Sequence, residues 1–342
     1  MTATPHFVPR QVLLEPDALG YPLGQELWDR FRAMGVPVAM LPPHRRIPVR
    51  RGLPARAAFL EAKRTLVVAV RRQLDFAGCR PSAHYQLPLA SSCPGLCQYC
   101  YLFTTLGKRP YVRVYVNLEE ILDRATALVD GRLPEETSFE GSATSDPVAI
   151  ESYTGSLARA VEHFAGLPRA SLRFATKYPP PRALLQARHR GRTRIRFSVN
   201  PPALVERFER GTPDLETRLR AARQAREAGY PIGFLVAPIM ATEGWQDEYR
   251  QLIRSLAGSL GDHPGLTFEL ITHRFTARAK ARIGELFPGA GLPMDEAERE
   301  FRWGQFGYGK YVYPGPLRRE MGAVLEKAIA GSFPSATVLY TV

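Results

Sequence analysis

The sequence predicts an α/β fold built on a parallel sheet, either doubly wound or closed into an incomplete barrel. From residue 85 onward, strand-like runs alternate with helix-like runs in about six units, and that alternation is typical of parallel sheets. The composition, 45% hydrophobic and 23% charged over 342 residues, is that of a globular protein with one large domain or two ordinary ones. No Gly/Ser-rich or Pro-rich linker divides the chain, so we expect no independent domains.

The predicted elements follow one another in a regular order. Residues 1–80 contain a helix at 24–34, a basic loop and a strand at 65–70, which together are interpreted as a cap or an added strand. The strands of the repeating units are predicted at 85–90, 137–143, 172–177, 194–200, 231–239 and 266–272. The helices between and after them are predicted at 150–165, 181–187, 214–229, 246–260 and 277–287. Aromatic residues with Gly-x-Gly spacing at 301–315 predict a β-hairpin.

The charge and hydropathy of the chain limit its partners and location. The net charge is +13 with a pI near 9.8, which indicates a polyanionic partner, most simply nucleic acid. The alternative is an arginine-rich protein whose helix faces are merely solvated. The apolar run at 65–70 has strand length, far below a membrane span, and the first ten residues hold no apolar signal core. We therefore expect a cytoplasmic protein without a membrane segment.

Three cysteines, Cys93, Cys97 and Cys100, stand together in a chain that has four. In a reducing compartment such a cluster indicates metal binding or catalysis rather than disulfides. A structural zinc site usually needs four Cys or His ligands in two pairs, and here only Cys79 and His84 lie nearby, each unpaired. A [4Fe–4S] cluster normally takes one thiolate per iron, so three thiolates leave one iron open for a substrate or a second cofactor. The spacing favours the iron–sulfur interpretation, with zinc as the alternative.

The C-x3-C-x2-C spacing with Tyr99 before the last cysteine resembles the signature of radical S-adenosylmethionine (SAM) enzymes. That resemblance implies a [4Fe–4S] cluster whose open iron is chelated by SAM, and a reduction that cleaves SAM to a 5′-deoxyadenosyl radical. It also implies a partial (β/α)6 barrel of the TIM type with the cluster loop after its first strand. The six predicted units, with the cysteines after the strand at 85–90, agree with that fold.

More of the chain resembles one family, spore photoproduct lyase. The matching segments run nearly end to end and include LEPDALGYPLGQELWDRF, CQYCYLFTTLGKRPYVRVYVNLEEIL, FEGSATSDPVAIE, RFATKY, RIRFSVN, GFLVAPI, FELITHRF and WGQFGYGKYVY. The resemblance implies a DNA-repair lyase that returns the thymine dimer 5-thyminyl-5,6-dihydrothymine, a lesion of spore DNA, to two thymines. It implies duplex DNA carrying the lesion as partner, a one-electron donor such as flavodoxin or ferredoxin, and a monomer.

The resemblance also assigns roles to particular residues. Cys93, Cys97 and Cys100 match the cluster ligands, and Tyr101, with Tyr99 beside it, matches the hydrogen-transfer relay. The positions that match SAM contacts lie at the ends of successive predicted strands: Ser145, Lys177, Ser198 and Ala237. Hydroxyls and an ammonium group suit a ribose or a carboxylate, although polar residues are common at strand ends for structural reasons.

One position departs from the family pattern. The family's hydrogen-donating cysteine lies just before TSD, and this chain has Ala143 there. Three explanations are open: the alanine was engineered, the protein uses another donor, for which Cys79 is the remaining cysteine, or the chemistry differs. The close match around Ala143 favours the first. The resemblance then predicts slowed or misdirected repair.

The predicted hairpin is the candidate DNA wedge, because enzymes that act on bases must extrude them from the duplex. Phe306, Tyr308 and Lys310 are placed near its tip, and Arg302 and Lys310 are candidate phosphate contacts. Gln305 stands where relatives tend to carry a basic residue. The alternative is a hairpin that only packs against the barrel. We assign 1–82 to an N-terminal cap, 83–290 to the barrel, and 291–342 to the hairpin and a closing helix.

Three hypotheses follow for the function. The first is a radical SAM lyase that repairs the spore lesion. The second, motivated by Ala143, is a radical SAM enzyme of the same lineage with another substrate. The third is a non-catalytic, metal-stabilised protein that binds nucleic acid.

Overall fold

A computed structural model describes residues 6–43, 47, 52–303, 307 and 309–342. These residues form two compact units, which are described separately. The first contains residues 1–94, 106–195 and 228–230, and the second contains residues 95–105, 196–227 and 231–342. Strand β11 begins in the first unit and ends in the second.

The first unit contains a mostly parallel sheet in the order β2-β1-β3-β8-β6, in which only β6 and β8 are antiparallel. Its strands are β1 (Gln11–Leu14), β2 (Val38–Met40), β3 (Thr65–Ala69), β6 (Ala90–Ser91) and β8 (Val112–Tyr115). A short 3₁₀ helix (Pro16–Gly20), α1 (Pro22–Ala33), α2 (Ala55–Lys63) and α4 (Leu118–Asp130) accompany it. Val12, Leu66 and Val112 from three adjacent strands are fully buried with Leu27 and Phe31 of α1. The segment interpreted as a cap or an added strand thus contributes three strands to a five-stranded sheet.

The first unit also contains β4 (Gly78–Cys79), β5 (Ala83–Leu87), β9 (Thr137–Gly141) and β10 (Ala170–Thr176), which lie in that order and are followed by β11 (Thr193–Val199). Strand β5 pairs parallel with β9, and β9 pairs parallel with β10, whereas β4 and β5 form an antiparallel pair. The helices are α5 (Val148–Thr154), α6 (Ser156–Gly166) and α7 (Arg182–Leu185). The prediction of parallel strands alternating with helices is confirmed.

The strand predicted at 85–90 is wrong in one respect, because the structure divides it between two sheets. Strand β5 ends at Leu87 and pairs with β9, whereas β6 begins at Ala90 and pairs with β8. Pro88 has no N–H to continue the ladder, and Leu89 N turns back to donate to Leu87 O at 3.0 Å. The residues leading to the cysteines therefore cross from one sheet to the other.

The helix predicted at 150–165 is also divided. Gly155, with φ of 58°, adopts the left-handed conformation that ends α5, and α6 begins at Ser156. The buried carboxylate of Glu151 accepts hydrogen bonds from the N–H groups of Leu157 and Ala158, at 2.9 and 2.8 Å, and so satisfies the first turn of α6.

The second unit continues from β11 in the order β11-β13-β14-β17. Its strands are β7 (Leu96–Cys97), β12 (Glu209–Arg210), β13 (Ile232–Ile239), β14 (Thr267–Thr272), β15 (Glu300–Trp303), β16 (Gly309–Val312) and β17 (Thr337–Thr341). Its helices are α3 (Leu102–Thr105), α8 (Pro202–Phe208), α9 (Leu215–Glu227), α10 (Trp245–Leu260), α11 (Ala277–Leu286) and α12 (Gly315–Ser332). Strands β13, β14 and β17 pair parallel, and α12 lies between β16 and β17 along the chain.

The predicted hairpin is confirmed by the antiparallel pairing of β15 with β16, in which Phe301 lies opposite Tyr311 and Arg302 opposite Lys310. Of the residues predicted near its tip, Phe306 and Tyr308 lie outside the described residues, as does the predicted DNA contact Gln305, whereas Lys310 lies in β16. Among the helices that the structure describes, none combines the length and the apolar character needed to cross a membrane.

Candidate active site

A cavity of about 280 Å³ in the first unit contains Ala143 in its wall. Ala143 follows the carboxyl end of β9, where parallel α/β sheets place their ligand sites. Ser142 and Thr144 flank it in the same wall, and Leu87 and Ala90 line the cavity where the chain passes from β5 to β6. The position that the resemblance assigns to the hydrogen donor therefore lies in the wall of a partly open cavity.

Two arginines and one carboxylate, Asp75, also line the cavity. Arg71 and Arg113 line it, and their Nε atoms are buried with no hydrogen-bond partner among the described residues. Asn117 fixes the backbone of Arg71 on both sides, accepting from its N–H at 2.8 Å and donating to its carbonyl at 2.9 Å. The Arg71 guanidinium lies 5.6 Å from the centre of the Tyr115 ring. A ligand with carbonyl or phosphate oxygens would satisfy such a wall.

The loop after β9 is tied to the segment that leads into the cysteines. Ser142 adopts a positive φ of 55°, and its hydroxyl accepts from Ala90 N at 3.0 Å. The N–H of Ser92 donates to Thr144 O at 2.7 Å, and the Ser145 hydroxyl donates to Ser92 O. The predicted SAM contact Ser145 is thus anchored beside the residue that precedes Cys93.

Asp146 connects the ends of β9 and β10, and sequence reasoning missed it. Its carboxylate accepts from the Thr176 hydroxyl at 2.8 Å and from Lys177 N at 2.7 Å. Burial raises the pKa of Asp146 to about 6, against the lowering effect of those hydrogen bonds. The residue fixes the backbone of Lys177, the second predicted SAM contact. The sequence did offer one sign of Asp146, because this acidic residue directly follows Ser145 in the segment TSD.

Lys63 fixes the backbone at the first cysteine. Its side chain is buried, and its ammonium donates to Cys93 O at 2.8 Å and to the Ser92 hydroxyl at 3.4 Å. No motif in the sequence marks this residue, because Lys63 lies at the end of α2 and meets the cysteine segment only through the fold.

The second unit holds the rest of the cysteine loop. Cys97 lies in β7 directly opposite Glu209 of β12, and Cys100 N donates to Cys97 O at 3.2 Å across a turn. The Tyr99 hydroxyl between them donates to Glu209 Oε1 at 2.5 Å. Burial, followed by the charge of Glu209, raises the pKa of Tyr99 well above its ordinary value and keeps it a neutral phenol. Tyr101, in contrast, is 59% exposed.

The donor chemistry of the loop fits an iron–sulfur cluster. The four cysteines, all within the described residues, form no disulfide; Cys97 is buried and the others are partly exposed. Within the described part of the chain, no three His, Cys, Asp or Glu side chains converge as a site for a single metal ion. A [4Fe–4S] cluster does not require such convergence, because each thiolate binds a different iron.

The two remaining predicted SAM contacts lie on neighbouring strands of the second unit. Ser198 is near the end of β11, and its carbonyl accepts from Arg218 at 3.0 Å. Ala237 is near the end of β13, and its carbonyl accepts from Asn200 at 3.1 Å. Both strand ends are therefore held by buried side chains, which sequence reasoning did not identify.

The hairpin presents aromatic and cationic side chains. Trp303 is 75% exposed, and Phe301 packs edge-on against it with ring centres 5.7 Å apart. Arg302 forms an exposed ion pair with Glu300 at 2.9 Å. Burial and the nearby Arg274 lower the pKa of Lys310. Trp303 and Phe301 thus form an exposed aromatic pair on β15.

Comparison with known proteins covers the whole chain. The family model described as spore photoproduct lyase matches residues 7–342. A spore photoproduct lyase of Geobacillus sp. is 47% identical over 339 residues, with 98% of each chain covered. That of Bacillus subtilis is 44% identical over 339 residues, again with 98% of each chain covered.

Two solved structures are similar at a TM-score of 0.95 and cover 98% of this chain and 99% of theirs. One, 45% identical, is a cysteine-to-alanine variant of spore photoproduct lyase with dinucleoside spore photoproduct. The other, 46% identical, combines a cysteine-to-alanine with a serine-to-cysteine exchange and has bound AdoMet and dinucleoside spore photoproduct. These likenesses confirm the predicted fold class, a partial barrel of the radical SAM type with an α/β architecture.

Proposed function

The chain belongs to the spore photoproduct lyase family, and from this membership we propose that it repairs 5-thyminyl-5,6-dihydrothymine in DNA as a radical SAM lyase. The observation that carries the proposal is the cavity whose wall contains Ala143, at the position that the family uses for hydrogen donation. Its volume of about 280 Å³ is near the lower end of small-molecule sites, which suits a base dimer that enters from one side. Arg71 and Arg113 would face the polar edges of the lesion.

We propose that Cys93, Cys97 and Cys100 bind a [4Fe–4S] cluster and that SAM completes it. When bound, the two cofactors supply the radical that removes a hydrogen atom from C6 of the lesion. Lys177 is assigned to the SAM carboxylate because an ammonium pairs well with it. The residues assigned to the other SAM contacts are Ser145, Ser198 and Ala237.

The hydrogen donor is the point at which this chain departs from the family pattern. In the solved structure with two exchanges, one position was changed from serine to cysteine and the other from cysteine to alanine. The number of residues between those two positions equals the number between Cys79 and Ala143 in this chain. Cys79 lies in β4, just after the cavity-lining residues Phe76 and Ala77. The presence of cysteine at 79 together with alanine at 143 supports a donor at a different position rather than an engineered loss of the donor. We therefore assign the donor role to Cys79.

With Cys79 as the donor, every hydrogen atom in the reaction is accounted for. The Cys79 S–H bond breaks as a C–H bond forms on the thymine methyl radical, which leaves a thiyl radical on Cys79. In the relay, Tyr101 would pass the hydrogen atom removed from C6 back to Cys79 and so re-form the thiol. No net oxidation remains, and two thymines result.

The deciding experiment uses anaerobically reconstituted, reduced protein with SAM and DNA that carries the lesion. Thymine release and 5′-deoxyadenosine are followed for the unmodified chain, Cys79→Ala, Ala143→Cys and the double variant. We expect repair by the unmodified chain, at least about tenfold slower clean repair with Cys79→Ala, and recovery in the double variant, as expected for loss and return of a group that acts in the reaction.

Other outcomes contradict parts of the proposal. Unchanged repair by Cys79→Ala would remove Cys79 from the mechanism. Repair only after Ala143→Cys would mean that the chain has no donor and is impaired by Ala143. If neither form acts on the lesion while both cleave SAM, the second hypothesis, another substrate for the same lineage, replaces the first.

For DNA binding we propose that the hairpin of β15 and β16 opens a lesion-containing duplex. The exposed Trp303 and Phe301 support a wedge, and Arg302 and Lys310 support phosphate contacts. The DNA contacts predicted at Gln305, Phe306 and Tyr308 remain part of this proposal. The segments 1–82, 83–290 and 291–342, a flavodoxin or ferredoxin as electron donor, a monomeric state and a cytoplasmic location remain part of this proposal.

A further inference from the structure

A buried polar network in the second unit joins the cysteine loop to the ends of two barrel strands. Its centre is Glu209, whose side chain is 2% exposed. Oε1 accepts from the Tyr99 hydroxyl at 2.5 Å and from Asn200 Nδ2 at 3.2 Å. Oε2 pairs at 2.6 Å with Arg218, whose side chain is fully buried. One carboxylate therefore connects three different parts of the unit.

The loop side of this connection is reinforced by the backbone. Cys97 and Glu209 are paired residues of the β7–β12 ladder, and Gln98 N donates to Phe208 O at 2.8 Å. Tyr99 thus stands between two predicted cluster ligands, with its hydroxyl directed to Glu209 and its backbone in a segment bound to β12.

The strand side reaches two predicted SAM contacts. Arg218 Nη1 donates to Ser198 O at 3.0 Å, and Asn200 Nδ2 donates to Ala237 O at 3.1 Å. Tyr249 completes the network by donating to Asn200 Oδ1 at 3.2 Å and accepting from Met240 N at 2.9 Å. Each buried polar group has at least one partner, and such fully paired networks hold their members in one geometry.

We propose that Glu209 is a positioning residue that sets the cysteine loop against the SAM-contacting ends of β11 and β13, so that SAM affinity depends on this carboxylate. The inference rests on the proposed function. A buried ion pair contributes little net stability, since its desolvation cost offsets its attraction, so a role in positioning explains what stability alone does not.

The same unit offers a matched control. Glu269 of β14 is also buried, pairs with Arg196 at 2.8 Å, and accepts from the Tyr340 hydroxyl. It has the same chemistry as Glu209, an arginine and a tyrosine on one carboxylate, but that arginine and that tyrosine lie on β11 and β17, whereas the tyrosine on Glu209 lies in the cysteine loop. Glu269→Gln should therefore reproduce the loss of stability of Glu209→Gln without its effect on SAM.

The test compares the unmodified chain with Glu209→Gln, Asn200→Ala and Glu269→Gln. Dissociation constants for labelled SAM are measured by equilibrium dialysis on reconstituted protein of equal iron content, together with thermal unfolding. Alkylation rates of Cys97 and Cys100 are measured on the cluster-free proteins. We expect Glu209→Gln and Asn200→Ala to weaken SAM binding roughly tenfold, the scale of one charge-assisted hydrogen bond, and to speed alkylation. Glu269→Gln should change neither.

The outcomes are distinguishable. Equal SAM affinity in all four proteins, or equal weakening by Glu269→Gln, overturns the inference and leaves the proposed function intact. If Glu209→Gln does not fold because Arg218 is left unpaired, Asn200→Ala decides, since it keeps the ion pair. If the unmodified, iron-loaded chain does not bind SAM at all, the proposed function fails, and alkylation of the cluster-free proteins still reports whether Glu209 holds the loop.

Discussion

At the scale of single residues, two tyrosines that flank Cys100 in the sequence have opposite environments. Tyr99 is hydrogen-bonded to the buried Glu209, whereas the Tyr101 ring is largely exposed. The C-x3-C-x2-C spacing identifies both as neighbours of a cluster ligand, but it does not distinguish their environments. Their surroundings do, because the Tyr99 phenol is buried against a carboxylate whereas Tyr101 is exposed.

Substitution of each tyrosine by phenylalanine should therefore affect different properties. Tyr99→Phe leaves Glu209 without one donor and should lower the free energy of unfolding by about 1–3 kcal/mol. Tyr101→Phe should leave stability within about 0.5 kcal/mol and slow lesion repair. Urea unfolding of the cluster-free variants, followed by repair assays on reconstituted protein, checks both. Equal loss of stability in the two variants would contradict this assignment.

Lys63 gives a second prediction at this scale. Lys63→Met keeps the length of the side chain but removes the ammonium that donates to Cys93 O. We expect a loss of about 1–3 kcal/mol of unfolding free energy and faster loss of iron from reconstituted protein. Lys280→Met is the control, because the Lys280–Glu296 ion pair is partly exposed and such pairs contribute about 0–1 kcal/mol. An effect of Lys63→Met no larger than that of Lys280→Met would refute it.

At the scale of elements, the break between α5 and α6 places the carboxyl group of Glu151 in the interior, where its pKa is raised. Burial raises the pKa of Glu151 to about 7, against the lowering effect of the N–H groups it accepts from. In the unfolded chain the group ionises near its ordinary pKa of about 4.3. Between these values the folded state binds more protons than the unfolded state, so this group makes stability fall as pH rises.

Glu151→Gln should remove that contribution. The free energy of unfolding of Glu151→Gln should rise relative to that of the unmodified chain between about pH 4.5 and about pH 7. Above pH 7 the difference should stay constant, having changed by an amount on the order of 3 kcal/mol. Urea unfolding at a series of pH values measures it. Glu162→Gln, an exposed change on α6, should leave the pH profile unaltered. A constant difference between Glu151→Gln and the unmodified chain across this range would exclude a raised pKa.

At the scale of the whole molecule, the net charge of +13 should make DNA binding strongly dependent on salt. The logarithm of the association constant should fall linearly with the logarithm of salt concentration, at a slope of about 0.9 per neutralised phosphate. Arg302→Ala should reduce the slope by about one unit, whereas Arg220→Ala on the exposed face of α9 should leave it unchanged. Fluorescence anisotropy with duplex DNA at several salt concentrations measures the slopes, and equal slopes for both variants would remove Arg302 from the interface.

The sequence by itself determined the α/β class, the order of the repeating units, the three-cysteine loop, the hairpin and the family, since each depends on local periodicity or on motifs read along the chain. It did not reveal the division of 85–90 between two sheets, the break at Gly155, or the side chains that hold the site. Lys63, Glu209 and Arg218 carry no motif, because a buried hydrogen bond depends on which distant groups the fold brings near. Only the tertiary structure decided that Ala143 lines a cavity and that one carboxylate joins the cysteine loop to β11 and β13.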